Sequence, residues 1–328
     1  MKKIALISGG AGFIGSNMAD YLLKKGFKVR VIDNLTTGSL KNIKHNFKNK
    51  NYKFKKIDII KLNRKELFFK NVDYVFHFAG LADLVPSIED PLKYLNTNFL
   101  GTIKMLEAAR YWKVKKFVYA ASASCYGKTN SMVSETSKIN TEHPYAFSKF
   151  SGELAVMHWH KVYKLPVNSL RIFNAYGPRS RTSGSYGAVM GVFFKQKLSN
   201  KPLTVVGSGK QSRDFIHVSD VNSAFYLAAT TKKQGEVYNL GTSQPQTINY
   251  LTKLIGGKRI RIPNRPGEAF KSLANINKLR KHLNWKPKTK FKKGISELLK
   301  NIQAWNKAPL WDKVKIKRAT KVWFKYLS

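Results

Sequence analysis

Lys3-Ile4-Ala5-Leu6-Ile7-Ser8-Gly9-Gly10-Ala11-Gly12-Phe13-Ile14-Gly15 reads as a short apolar strand that runs into a glycine turn and opens a helix. Gly10, Gly12 and Gly15 satisfy G-x-G-x-x-G, and Gly9, Gly12 and Gly15 satisfy G-x-x-G-x-x-G. Such a turn lets the backbone approach a pyrophosphate closely and aims the positive end of a helix at it. Residues 28–33 form a second strand-like run that ends in Asp33. A carboxylate there accepts hydrogen bonds from adenosine ribose hydroxyls and repels a 2′-phosphate, so the pattern predicts NAD. Arg30 is the nearby cation that would favour NADP instead.

Outward from this unit the same alternation continues. Strand-like runs fall at 52–57, 74–78, 117–121 and 167–173, with helical patterns between them, among them 96–111 and 144–162. Strand and helix in turn predict an α/β fold: a doubly wound parallel sheet of Rossmann type covered on both faces. The second half is punctuated by Gly177-Pro178, Gly207, Gly209, Pro245 and Gly256-Gly257, and is expected to form a smaller α+β substrate domain. The expected division is a dinucleotide domain over 1–171 with a return at about 214–243, a substrate domain over 172–213 and 244–310, and a C-terminal amphipathic helix over 311–328. In that last segment Trp311, Ala319, Val322, Trp323 and Leu327 share one side, which predicts docking on the enzyme body.

The 328 residues are 43% hydrophobic and 12% aromatic, enough for a sizeable core. No apolar run is long enough to span a bilayer, and the apolar residues after Lys3 are broken at once by glycines, unlike a signal peptide. Cys125 is the single cysteine, which excludes an internal disulfide and fits a cytoplasmic location. Lys and Arg total 60 against 18 Asp and Glu, a formal charge of +42. The cations are mostly lysines spread from Lys2 to Lys325, which reads as a lysine-rich surface and not as a specific nucleic-acid site. The field still draws anionic substrates. No Cys/His spacing suits zinc, and His158 and His160 point to different helix faces, so no metal is expected.

Two further stretches carry chemistry. Tyr145-Ala146-Phe147-Ser148-Lys149 places a phenol and an ammonium at i,i+4 on one helix face. A nearby Lys⁺ and an oxidised nicotinamide would both lower the phenol's pKa toward that of a useful base. Ser122-Ala123-Ser124-Cys125-Tyr126-Gly127 follows a strand, at the end of the sheet where ligands bind.

With these, Asp58-Ile59, His77-Phe78-Ala79-Gly80, Leu170 to Arg179, Arg213-Asp214-Phe215-Ile216-His217-Val218 and Arg265-Pro266-Gly267-Glu268 follow in order. The ordered set resembles the NAD-dependent epimerase/dehydratase family, extended short-chain dehydrogenases of the UDP-glucose 4-epimerase group. The resemblance implies that Ser122, Tyr145 and Lys149 are catalytic. It implies that Gly9, Gly12, Phe13, Ile14, Gly15, Asp33, Asn34, Asp58, Ile59, Phe78, Ala79 and Gly80, together with Tyr145 and Lys149, hold NAD. It also implies that Ser124, Asn174, Arg213, Arg265 and Ser272 meet a nucleotide-sugar substrate, with a UDP-sugar first in line. Helices 96–111 and 144–162 would pair two copies into a homodimer through Met105, Leu106, Met157 and Trp159. In 4,6-dehydratase or decarboxylase relatives acidic residues follow the catalytic hydroxyl; here Ala123, Ser124 and Cys125 stand there, which favours epimerisation. A non-catalytic NAD-sensing or nucleic-acid-binding protein on the same fold is the alternative from another class, and Ser122, Tyr145 and Lys149 together argue against it.

Overall fold

Successive side chains of a strand point to opposite faces, so a strand buried on both sides must be apolar throughout. Ile4–Ser8 (β1) meets that demand: Ala5 and Ile7 enter one core and Leu6 the other. The computed structural model describes residues 2–181, 189–264 and 270–327. After β1 come α1 (Phe13–Lys24), β2 (Lys28–Asp33), β3 (Tyr52–Lys56), β4 (Tyr74–His77), α2 (Leu84–Glu89), α3 (Pro91–Leu95), α4 (Gly101–Tyr111), β5 (Lys116–Ser122), α5 (Pro144–Tyr163) and β6 (Val167–Ile172). The remainder comprises β7 (Asn174–Tyr176), α6 (Val189–Leu198), β8 (Leu203–Val206), β9 (Ser212–Arg213), β10 (Phe215–His217), α7 (Val218–Thr230), β11 (Glu236–Leu240), β12 (Gln246–Thr247), α8 (Ile248–Ile255), β13 (Arg259–Ile262), α9 (Asn277–Leu283), α10 (Phe291–Lys300), α11 (Lys313–Ala319) and α12 (Lys321–Tyr326).

Seven strands form one parallel sheet in the order β3-β2-β1-β4-β5-β6-β11. The order reverses between β1 and β4, and an open α/β sheet leaves its ligand crevice at that switch point, beyond the carboxyl ends of the strands. One face packs on Met18 and Leu22 of α1 and on Val221 and Phe225 of α7. The other packs on Met105 and Leu106 of α4 and on Ala155 and Val156 of α5. His77 pins the switch point: its Nδ1 lies 2.6 Å from Ser8 Oγ and its Nε2 2.9 Å from Thr102 Oγ1. Burial, helped by the Lys149 charge, holds this imidazole well below the usual histidine pKa, so it stays neutral between β1, β4 and α4.

A third cluster forms around Tyr176, Phe193, Phe194, Val205, Leu251, Ile295 and Trp305. Among the described residues its strands pair two by two, β7 with β10 and β8 with β13 in parallel and β9 with β12 antiparallel, and Ser212 of β9 also bridges to Lys271. The Phe215–Leu240 stretch crosses from this region back to the large sheet, where β11 pairs with β6.

Two sequence-based expectations need correction. The helix predicted over 96–111 begins with a π-helical turn, Asn96–Leu100, before α4. The predicted C-terminal helix is two helices, α11 and α12. Thr320, 2% exposed, lies between them and its Oγ1 turns back to donate to Ile316 O at 2.8 Å. A hydroxyl that competes in this way bends a helix. Among the described residues no helix is long and apolar enough to cross a membrane.

Candidate active site

The glycine turn is too tight for any other residue where it matters. A Cβ at Gly15 would stand 2.3 Å from Gly9 O, and one at Gly9, whose φ is +68°, would stand 2.6 Å from Ala79 N. Helix α1 therefore starts against the segment that leaves β4. Its N-cap is Gly12, and no side chain caps its first amides, so these donors are left for an anion. Asp33 closes the end of β2: Oδ2 accepts from Ala11 N at 3.0 Å and Oδ1 from Leu35 N at 2.7 Å. Burial pushes its carboxyl above the usual range, and the two amides oppose this. Asn34 donates to Asp58 Oδ2 at 3.2 Å and links the ends of β2 and β3. Arg30 donates to the carbonyls of Phe68 and Lys70, both at 2.7 Å, and so is spent away from the crevice. These residues fit a dinucleotide that carries a free ribose 2′-hydroxyl, which is NAD.

One cavity of about 1120 Å³ runs from this loop to the ends of β5, β6 and β7. That exceeds the usual size of a small-molecule site and suits two ligands side by side. Gly9, Gly12, Phe13, Ile14, Gly15, Asp33, Asn34, Asp58, Ile59, Phe78, Ala79 and Gly80 line one part. Ser122, Ser124, Tyr145, Lys149, Asn174, Arg213 and Ser272 line the rest. Arg265 and Glu268 lie outside the described residues.

At the reactive end Tyr145 OH donates to Ser122 Oγ at 3.2 Å, and Ser122 Oγ is 2.8 Å from Ser124 Oγ. Ser122 is also the N-cap of the short turn Ala123–Tyr126 and accepts from Ser124 N at 3.2 Å. Lys149 is buried, with Nζ 4.2 Å from the centre of the Tyr119 ring. Within the protein alone the Tyr145 phenol stands above its ordinary value. Burial pushes Tyr145 upward, the hydrogen bond with Ser122 opposes this, and Asp83 and Cys125 add to the rise. Burial likewise brings Lys149 down to about 7, with Glu153 pulling it back up. Burial thus disfavours the charged form of both groups.

Four positioning features were not foreseen. Asn98, in the π-helical turn, donates to Leu81 O at 3.0 Å and to Ser148 Oγ at 2.9 Å, while its Oδ1 accepts from Leu81 N at 2.8 Å. It ties the Gly80-Leu81 segment to the catalytic helix, as functional π-turns often do. His143 caps α5 by accepting from Ala146 N at 3.2 Å, and its ring stacks on Tyr145 at 5.8 Å. Burial takes it to about 4, so it remains a neutral acceptor. A polar residue just before Pro144 was the visible signal. Asp83 and Arg181 form an ion pair at the cavity wall. Glu153 pairs with Arg171 beneath the site, at 2.6 Å.

The family model described as GDP-mannose 4,6 dehydratase matches residues 6–298. The chain belongs to that family of NAD-dependent nucleotide-sugar epimerases and dehydratases. It is 34% identical to the UDP-glucuronate 4-epimerase of Thermodesulfobacterium geofontis over 318 residues, covering 92% of this chain and 95% of that one. Among solved structures it is similar to a UDP-N-acetylglucosamine 4-epimerase from Methanobrevibacter ruminantium in complex with UDP-N-acetylmuramic acid. The TM-score is 0.86 and the identity 32%, covering 93% of this chain and 98% of that one. It is also similar to the UDP-glucuronic acid 4-epimerase of Bacillus cereus in complex with UDP-glucuronic acid and NAD. There the TM-score is 0.85 and the identity 30%, covering 92% and 99% of the two chains.

Proposed function

We propose that this protein is a cytoplasmic nucleotide-sugar 4-epimerase that works with tightly held NAD on a UDP-hexose or UDP-N-acetylhexosamine. The observation that carries the reading is the Tyr145–Ser122 hydrogen bond at the mouth of the dinucleotide crevice, followed by a turn, Ala123–Tyr126, without an acidic residue. A dehydratase or decarboxylase needs a further acid or base near C5 and C6. Of the carboxylates near Tyr145 on the cavity wall, Asp83 is paired with Arg181 and Glu142 accepts from Asn140 Nδ2 at 3.3 Å.

In this mechanism Tyr145 takes the proton from the sugar 4-hydroxyl, and Ser122 bridges the two oxygens. NAD, when bound, would supply the acceptor for the C4 hydride and, in its reduced form, the donor that gives the hydride back to the other face, together with a positive charge beside the phenol. Asn174 and Arg213 hold the nucleotide pyrophosphate, for which a planar guanidinium is suited, and Arg265 is assigned the same task. With the nucleotide fixed, the 4-keto sugar turns in the wide end of the cavity and presents its other face. Tyr145 then returns the proton. Lys149 and the Asn98-anchored segment keep the phenol and the ribose in register.

Ser272 faces the sugar. Its amide is fixed to Ser212 O at 3.1 Å and its Oγ accepts from Asn174 Nδ2 at 3.4 Å. A serine leaves open the volume a larger residue would fill. The test is a panel of UDP-sugars incubated without added NAD, with products resolved. Wild-type protein epimerises N-acetylated and plain hexoses, and no turnover of any nucleotide sugar refutes the reading. Ser272→Tyr is expected to lower kcat/KM for the N-acetylated sugar by about tenfold or more and to leave the plain hexose within about twofold. Equal losses on both sugars would remove Ser272 as a gatekeeper.

We also infer a homodimer through α4 and α5, in which Met105 and Leu106 take no part. Met105 and Leu106 are fully buried in the protein's own core, and Met157 and Trp159 pack against that core. The free apolar surface is Phe147, Leu154, Val162 and Tyr163 of α5 with Tyr111 of α4, all exposed. Sedimentation is expected to give twice the chain mass for the wild type and a smaller species for Leu154→Asp. A wild-type monomer at micromolar concentration excludes this interface.

A further inference from the structure

The family model ends at residue 298, yet the chain beyond it is built into the molecule. Trp305 is 2% exposed and meets Phe194 edge-on, with ring centres 4.8 Å apart. Gln196 Nε2 donates to Trp311 O at 2.6 Å, and Ile316 is buried in the same cluster, with Trp311 and Ala319 packed against it. These anchors lead α12 across to α2, which it touches. There Trp323, Tyr326 and Leu327 line the large cavity. Their neighbourhood is the reactive end: the N-cap of α2 is Asp83, whose carboxylate acts on Tyr145 and pairs with Arg181, and both line the cavity. Tyr94 of α3, close to Asp83, meets the Tyr145 ring edge-on at 6.5 Å.

Resting on the epimerase reading, we propose that the C-terminal segment 311–327 is part of the substrate site, with Trp323 as the residue that receives the hexose. An indole offers a broad apolar face to the C–H side of a pyranose and excludes water from it. Tyr326 and Leu327 widen the same wall. This assignment separates labour along the cavity. Asn174 and Arg213 hold the charged nucleotide, while a wall made mainly of aromatic ring surface lets the sugar present either face. The wall therefore favours hexose rings by shape and not by the orientation of one hydroxyl.

The test uses the full chain with Trp323→Ala and Trp323→Phe. KM and kcat are measured for the nucleotide sugar that the wild type epimerises best, and the dissociation constant of UDP alone is measured by calorimetry. Trp323→Ala is expected to lower kcat/KM for the nucleotide sugar by about tenfold, with UDP affinity within about twofold of wild type, and Trp323→Phe to recover most of the loss. Unchanged kcat/KM in Trp323→Ala overturns the proposal. A matching loss of UDP affinity also overturns it, because the segment then supports the whole pocket and not the sugar. If the wild type turns over no nucleotide sugar, the epimerase reading fails and this assignment falls with it; a wild type that turns over beside an unaffected variant sinks the assignment alone.

Discussion

Tyr145→Phe is expected to lower turnover by about a hundredfold to ten-thousandfold, the contribution usual for a positioned acid–base group. That corresponds to about 3–5 kcal/mol of barrier. The substitution removes one oxygen. The ring keeps its parallel stack on His143 and its edge contact with Tyr94. Ser122 keeps Ser124 as a partner for its hydroxyl. No buried polar atom is orphaned, so stability should change by less than about 1 kcal/mol. The expected signature is a protein with wild-type melting temperature and unchanged bound NAD that scarcely turns over. Turnover within about a factor of ten of wild type would mean that another group takes the proton.

Glu153→Ala is expected to have the largest effect on stability. Glu153 on α5 and Arg171 on β6 are 2% and 5% exposed. Arg171 donates to Glu153 through Nη2 at 2.6 Å and through Nε to both carboxylate oxygens at 3.1 Å. Ser169 Oγ donates to the same carboxylate at 3.0 Å. On its other side Arg171 Nη1 donates to Tyr126 OH at 2.8 Å, and Tyr126 OH donates to Asn239 Oδ1 at 2.7 Å. The pair thus joins the catalytic helix to the strands beneath it. Loss of the carboxylate strands a buried guanidinium, a change that costs about 3–5 kcal/mol. Denaturant midpoints would show it. The double variant Glu153→Leu with Arg171→Met is expected to regain most of that loss, because an apolar pair needs no compensation. A single variant as stable as wild type would show that water or another carboxylate already serves Arg171.

The parts of the fold that local sequence encodes were legible. The glycine spacing demands one turn and one helix start, and strands such as β1 and β4 declare themselves by apolar runs, whereas β6 carries the buried Asn168, Ser169 and Arg171 among its apolar residues. The candidate site was legible for the same reason, since its residues sit at strand ends and helix starts that motifs mark. What escaped depends on burial, which is a property of the assembled chain. Met105 and Trp159 look alike on a helical wheel whether they face a partner or the chain's own core. The charge of Lys149 cannot be read from its spacing to Tyr145, because desolvation decides it. Thr320 looks like any helix residue until its hydroxyl turns back on Ile316 O.

Ser122 occupies a position with two obligations that cannot be varied separately. Its oxygen starts the Ala123–Tyr126 turn and also receives the Tyr145 hydroxyl. Alanine at this position would therefore erase an architectural joint and a proton partner in one stroke, and the deficit measured would belong to neither alone. Aspartate could start the turn, but its charge would hold the proton on the phenol. Threonine satisfies both demands. The alphabet open to this site is thus two letters wide, and a kinetic comparison of Ser122 with Ser122→Thr reads chemistry at constant architecture, which no deletion of the hydroxyl can do.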